Sequence, residues 1–155
     1  LPNLYTSRAY AASGDFAKAV QSAELAVNTA PTDAYMIGNL GLMLYRNFQW
    51  PDSVTQFSLA VHGGTTADGK VIEPLVLDGN DLYVTIYYYT YALVLAHTNH
   101  CSEVVDIAKT ILEKVPNDAD ATFNAQAALD ICSTSLLTPS PTTGTSGTPL
   151  VTPTP

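Results

Sequence analysis

Residues 7–31 read SRAYAASGDFAKAVQSAELAVNTAP. Apolar and small side chains recur at helical spacing on both sides of Gly14, which predicts two amphipathic helices broken by a glycine turn. Gly14-Asp15 breaks one helix and recaps the next, and Pro31 closes the stretch. The pattern then returns. Displaced by 34 residues, Ser7 meets Gly41, Phe16 meets Trp50 and Ala26 meets Ala60; a further displacement of 34 plus 17 brings Gly41 onto Ala92. The 17 extra residues, 64–80, form an insertion between the second and third units. Helices are predicted over 3–13, 15–29, 33–46, 51–62, 82–98, 102–115 and 118–132. Thr32-Asp33, Asp81, Ser102 and Asn117-Asp118 stand at helix starts, and Pro51 sits in a first turn.

Residues at fixed places in each unit carry a resemblance. Unit one has Tyr10, Gly14, Phe16, Ala19, Ala26 and Pro31; unit two has Leu40-Gly41, Trp50, Phe57 and Ala60; unit three has Tyr88, Tyr91-Ala92, Leu112 and Pro116. This resembles the tetratricopeptide repeat (TPR) family, with Asn99 and Cys101 replacing the usual Gly and aromatic in unit three. The resemblance implies an all-α solenoid of antiparallel helix pairs at about 2–31, 33–63 and 84–116, with a capping helix at 118–132. One such unit cannot bury its apolar face, so units stack and ends need covering. The N-terminus shows no cap, since Leu4 and Tyr5 begin at once. The resemblance also implies a groove lined by the first helix of each pair, here Leu4, Arg8, Tyr35, Leu42, Tyr45, Arg46, Tyr89, Leu93 and His97. Leu4 and Arg8 stand where the family's chaperone-tail binders begin a Lys/Asn clamp, so that activity is not implied. Tyrosines on a groove suit Pro-rich or sugar partners. Of Tyr83, Tyr87, Tyr88, Tyr89 and Tyr91, which spread round one helix, some belong to the core.

Composition bounds the function. The 155 residues are 46% hydrophobic and 13% charged, against about a quarter charged in a usual soluble domain. Six Lys and Arg against 14 Asp and Glu leave a net charge of −8, which excludes a nucleic-acid binder. The longest apolar runs are too short to span a membrane. Residues 133–155, STSLLTPSPTTGTSGTPLVTPTP, hold half of the 10 prolines and no charge. Such a stretch favours extended polyproline-like conformations over a packed fold. It reads either as a bare linker or as an O-glycosylated stalk, with Thr138, Ser140, Thr142, Thr143, Thr145, Ser146, Thr148, Thr152 and Thr154 as candidate acceptors. The chain opens at Leu1 without Met, as expected if a leader was removed or if this is a piece of a longer product.

Cys101 and Cys132 are the two thiols. They lie equally far on either side of the turn at Pro116-Asn117, so an antiparallel hairpin brings them together at its open end, within disulfide reach. A disulfide there implies an oxidising compartment; two buried free thiols are the alternative. A zinc site built on His97, His100 and Cys101 lacks the usual fourth ligand. In the insertion, Ala67-Asp68-Gly69-Lys70 predicts a turn between short β-prone flanks, and Pro74 confines any strand to an edge. The segment reads as a loop packed on its own domain, or as an arm for a neighbour. Asp78, Asn80 and Asp81 suit caps and turns better than calcium.

No phosphate loop, nucleophile elbow or metalloprotease motif occurs, and Glu24, Glu73, Glu103 and Glu113 are scattered. No cofactor or metal is expected. The sequence therefore predicts a non-enzymatic extracellular or cell-surface scaffold of bacterial type, self-associating head to tail into a fibre, since an open solenoid end makes a contact that need not close. Copies of itself, through a neighbour's Thr/Pro tail, and covalent glycans are the expected partners. A peptide-binding adaptor in a periplasmic or surface complex is the alternative, and a linker-bearing piece of a larger surface enzyme a third reading.

Overall fold

The protein is described by a computed structural model covering residues 1–137. The described chain is mostly helical. Helices α1 (Pro2–Ala12), α2 (Phe16–Thr29), α3 (Ala34–Arg46) and α4 (Trp50–His62) precede two short strands, β1 (Gly64–Thr65) and β2 (Val71–Ile72). Helices α5 (Leu82–His97), α6 (Cys101–Lys114) and α7 (Ala119–Leu137) follow. Among the described residues, no helix is long and apolar enough to cross a membrane.

Helix starts follow from local chemistry. Pro2 occupies the first turn of α1, where its missing N–H costs nothing. The carboxylate of Asp15 accepts from Lys18 N, that of Asp33 from Tyr35 and Met36 N, that of Asp81 from Tyr83 and Val84 N, and that of Asp118 from Ala121 N. Each satisfies backbone donors that a helix leaves unpaired.

The turns inside the three hairpins α1–α2, α3–α4 and α5–α6 are copies of one another. Gly14, Phe48 and Asn99 have φ of 83°, 60° and 64°. In each turn the following amide bonds back across it: Asp15 N to Tyr10 O at 2.9 Å, Gln49 N to Leu44 O at 2.9 Å, and His100 N to Leu95 O at 2.8 Å. These positions are related by the same displacements that align the sequence units. A 6→1 bond with a left-handed residue is the Schellman ending of a helix.

Packing follows the same register. Ser7, Gly41 and Ala92 are buried in α1, α3 and α5, and Ala23, Phe57 and Ala108 are buried in α2, α4 and α6. Only the second unit places a large ring in this layer. A Cβ added to Gly41 would come within 2.9 Å of Phe57, so the ring needs the glycine. Gly41 O also accepts from Ser53 Oγ at 2.8 Å. Each helix packs on the next in the chain within the hairpins, α2 packs on α3, and α4 on α5. The odd-numbered helices adjoin in order, α1 with α3, α3 with α5 and α5 with α7. Tyr87, Tyr88 and Tyr91 are core, while Tyr83 and Tyr89 are half-buried.

The insertion folds back on its own domain. β1 and β2 pair antiparallel, Gly64 with Ile72 and Thr65 with Val71. Ile72 and Leu77 are buried, Leu75 N donates to Ala60 O at 2.8 Å, and Tyr88 Oη donates to Leu75 O at 2.8 Å. Helix α7 corrects one sequence boundary. It continues through Ser133 to Leu137, where composition had placed the start of the tail. The hydroxyls of Ser133, Thr134 and Ser135 bond back to the carbonyls of Leu129, Asp130 and Ile131, at 3.0–3.1 Å. They thus take a helical arrangement, and the first proline comes only at Pro139.

Cys101 and Cys132 form a disulfide, with Cα atoms 5.6 Å apart. It joins the first residue of α6 to α7.

Candidate functional site

The face built by α1, α3 and α5 is organised around Arg8. Its Nε donates to Asn39 Oδ1 at 3.1 Å and its Nη2 to Tyr87 Oη at 3.0 Å. The guanidinium lies 3.3 Å from the ring centroid of Tyr83 and 5.3 Å from that of Tyr35, so it is held by aromatic faces. Fully buried Asn39 donates to Ser7 Oγ at 2.8 Å, and Ser7 donates to Leu4 O at 2.7 Å. One polar chain therefore ties three helices together. Burial opposes the charge on Arg8, but the polar groups of Tyr35 and Tyr87 outweigh it and raise its pKa. Burial drives the Tyr87 phenol well above its ordinary range, with Arg8 opposing.

A cleft of about 130 Å³ opens beside this cluster, lined by Arg8, Ala11, Ala12, Leu42, Met43, Arg46 and Tyr83. Among the described residues neither arginine pairs with a carboxylate, whereas Lys18, Lys70 and Lys109 do. Tyr89 is half-buried, and burial, then Asp120 and Asp118, raise its pKa against Arg46. The side chains here supply stacking faces, hydroxyl donors and positive charge.

The expected groove residues do not all lie in the open. Leu4 is a correction: it is 2% exposed and packs in a small core with Ala26 and Met36. It falls on the buried stripe of α1 with Ser7 and Ala11. Leu42 is buried at the base of the cleft. Arg8, Tyr35, Tyr45, Tyr89 and Leu93 are half-buried, and Arg46 and His97 exposed. Tyr83, which stacks on Arg8, is not among the expected liners; it stands in the first turn of α5, ahead of position 84 where unit three is expected to begin.

Tyr45 and His97 belong to a second cluster at the hairpin-turn end. The Trp50 ring stacks on His97 at 4.7 Å and on Tyr45 at 6.4 Å, and Phe48 lies 6.2 Å from it. Phe48 is 80% exposed. The Trp50 indole N–H is buried and has no acceptor among the described residues. No sequence signal marked Phe48, since a ring is unusual where a turn calls for a left-handed residue.

On the other side, Glu103 of α6 accepts from the Tyr91 hydroxyl and meets His62 Nε2 at 3.0 Å, joining α4, α5 and α6. Among the described residues no group of three or more His, Cys, Asp and Glu side chains is placed to hold a metal ion. Asp78 accepts from the N and Nδ2 of Asn80, and Asp81 caps α5. The candidate acceptors from Thr138 to Thr154 lie outside the described residues.

No protein-family model matches the chain, and no curated protein matches it either.

Proposed function

We propose that this chain is a non-enzymatic scaffold, a TPR-like solenoid whose copies stack head to tail outside the cell or on its surface. The observation that carries the reading is the threefold repeat of one turn at Gly14, Phe48 and Asn99. Equivalent turns at positions related by the displacements that align the sequence units favour a stack of equivalent layers, and a stack of layers has two ends. Tyr5 and Leu25 stand 63% and 54% exposed on the first hairpin, and Phe123 stands 72% exposed on α7. Covering these in turn by successive copies makes a contact that need not close. The disulfide supports an oxidising location. The Thr/Pro-rich stretch supports O-glycosylation of a tail.

Sedimentation velocity over a range of concentrations tests the scaffold. The parent chain associates, and Leu25→Asp and Phe123→Asp each reduce association without loss of helicity. Monomers at every concentration, with nothing larger under negative stain, overturn the reading.

A second reading, a peptide-binding adaptor, is favoured by the cleft between Arg8 and Arg46. Capture of one stoichiometric heterologous partner, lost in Arg46→Ala, is its test.

A further inference from the structure

Phe48 is out of place by two measures. Its φ of 60° is a left-handed backbone, which bulky side chains avoid, and equivalent turns use Gly14 and Asn99 there. Its ring is also 80% exposed. A strained, water-facing ring beside Tyr45, Trp50 and His97 is an outlier that points to use rather than to packing. Together the four residues make an aromatic platform at the hairpin-turn end of the molecule.

The chain supplies a matching ligand close by. The disulfide holds Cys132 of α7 against Cys101, four residues after His97, so α7 leaves the fold at the same end as the platform. From Leu137 the sequence continues TPSPTTGTSGTPLVTPTP, with prolines at 139, 141, 149, 153 and 155. Extended at ~3.1 Å per residue this stretch reaches about 55 Å. Helix α7 packs directly on α5, whose His97 ring is already part of the platform, so the distance to cross is on the order of 10–20 Å. Prolines suit the site because a polyproline-type segment is preformed and docks on aromatic rings.

We propose that residues 138–155 dock on the platform of Tyr45, Phe48, Trp50 and His97 in the same chain. The contact is made by Phe48 and the exposed ring edges, since the indole N–H of Trp50 is enclosed. This proposal does not rest on head-to-tail stacking.

Trp50 is the one tryptophan, so its fluorescence reports on the platform alone. The test measures acrylamide quenching in the full-length chain, in a chain of equal length with the five tail prolines changed to Gly, in Phe48→Gly, and in the combined variant. Phe48→Gly suits the left-handed turn and keeps the fold, which circular dichroism verifies. Replacing the prolines raises the quenching constant about twofold, as expected when a docked strand is lost. In the Phe48→Gly background the same replacement adds nothing. Protection by the tail is unchanged on hundredfold dilution. Equal quenching with and without the prolines overturns the proposal. Protection that vanishes on dilution assigns the platform to a neighbour's tail and overturns the same-chain assignment. Sedimentation of the same samples reports separately on stacking.

Discussion

Gly38 lies directly against the ring of Tyr87: a Cβ at Gly38 would stand 2.5 Å from Tyr87 Cδ2. Tyr87 is fully buried, and its hydroxyl accepts from Arg8. The ring is thus fixed at both ends and cannot yield. Gly38→Ala therefore destabilises by about 1–3 kcal/mol, the range for overpacking a fixed core. A lower urea midpoint with unchanged slope is the expected result.

Phe48 gives the opposite sign. Relief of its left-handed backbone makes Phe48→Gly more stable by up to about 1 kcal/mol. Gly14→Ala, in an equivalent turn at φ 83°, costs about 1 kcal/mol. Thermal melts of the two variants should shift in opposite directions.

Asn39 is fully buried and serves two partners, Arg8 Nε and Ser7 Oγ. Asn39→Ala removes both bonds, leaving Arg8 bonded to Tyr87 and Ser7 to Leu4 O, at a cost of about 1–3 kcal/mol. Chemical denaturation of the variant against the parent checks this, and the Ser7→Ala/Asn39→Ala double variant should cost less than the two singles summed.

The Cys101–Cys132 bond closes a loop with a sequence separation of 31. Replacing both cysteines by Ser lowers stability by about 3–4 kcal/mol in the loop-entropy account. The parent melted with and without reductant should show the same loss.

Alkaline titration exposes the tyrosine core. Burial raises the phenols of Tyr45, Tyr88 and Tyr89; it raises those of Tyr87 and Tyr91 furthest, with the bond to Glu103 adding to Tyr91. The folded state thus holds these protons more tightly than the unfolded state. Below the ordinary tyrosine value of 10.0 both states are protonated and these groups add no pH dependence. Above it the unfolded chain ionises first, so stability falls as pH rises. Phenolate absorbance from the core should therefore appear together with loss of helicity.

The displacements that align Gly14, position 48 and position 99 were legible in the sequence, and the turns obey them to the hydrogen bond. Spacing about the Pro116 turn also brought Cys101 to Cys132. What escaped were facts of side-chain placement and local competition. Leu4 reads as a groove position by register, yet α1 turns it inward with Ser7 and Ala11. The end of α7 reads as tail by composition, yet Ser and Thr bond back to their own helix until a proline approaches. Phe48 carries no motif, and its meaning needs the rings of Trp50 and His97 beside it.

The covalent bond at Cys132 also decides how the molecule bears tension. A pull applied beyond Leu137 would peel α7 away from its C-terminal end. The bond lies five residues inside that end, so little more than one helical turn can be stripped before force passes straight into Cys101. The stretch between the two sulfurs is then bypassed and carries no load. Any further lengthening has to come from the chain before Cys101, while α6 and α7 keep their dimensions until a reductant opens the ring.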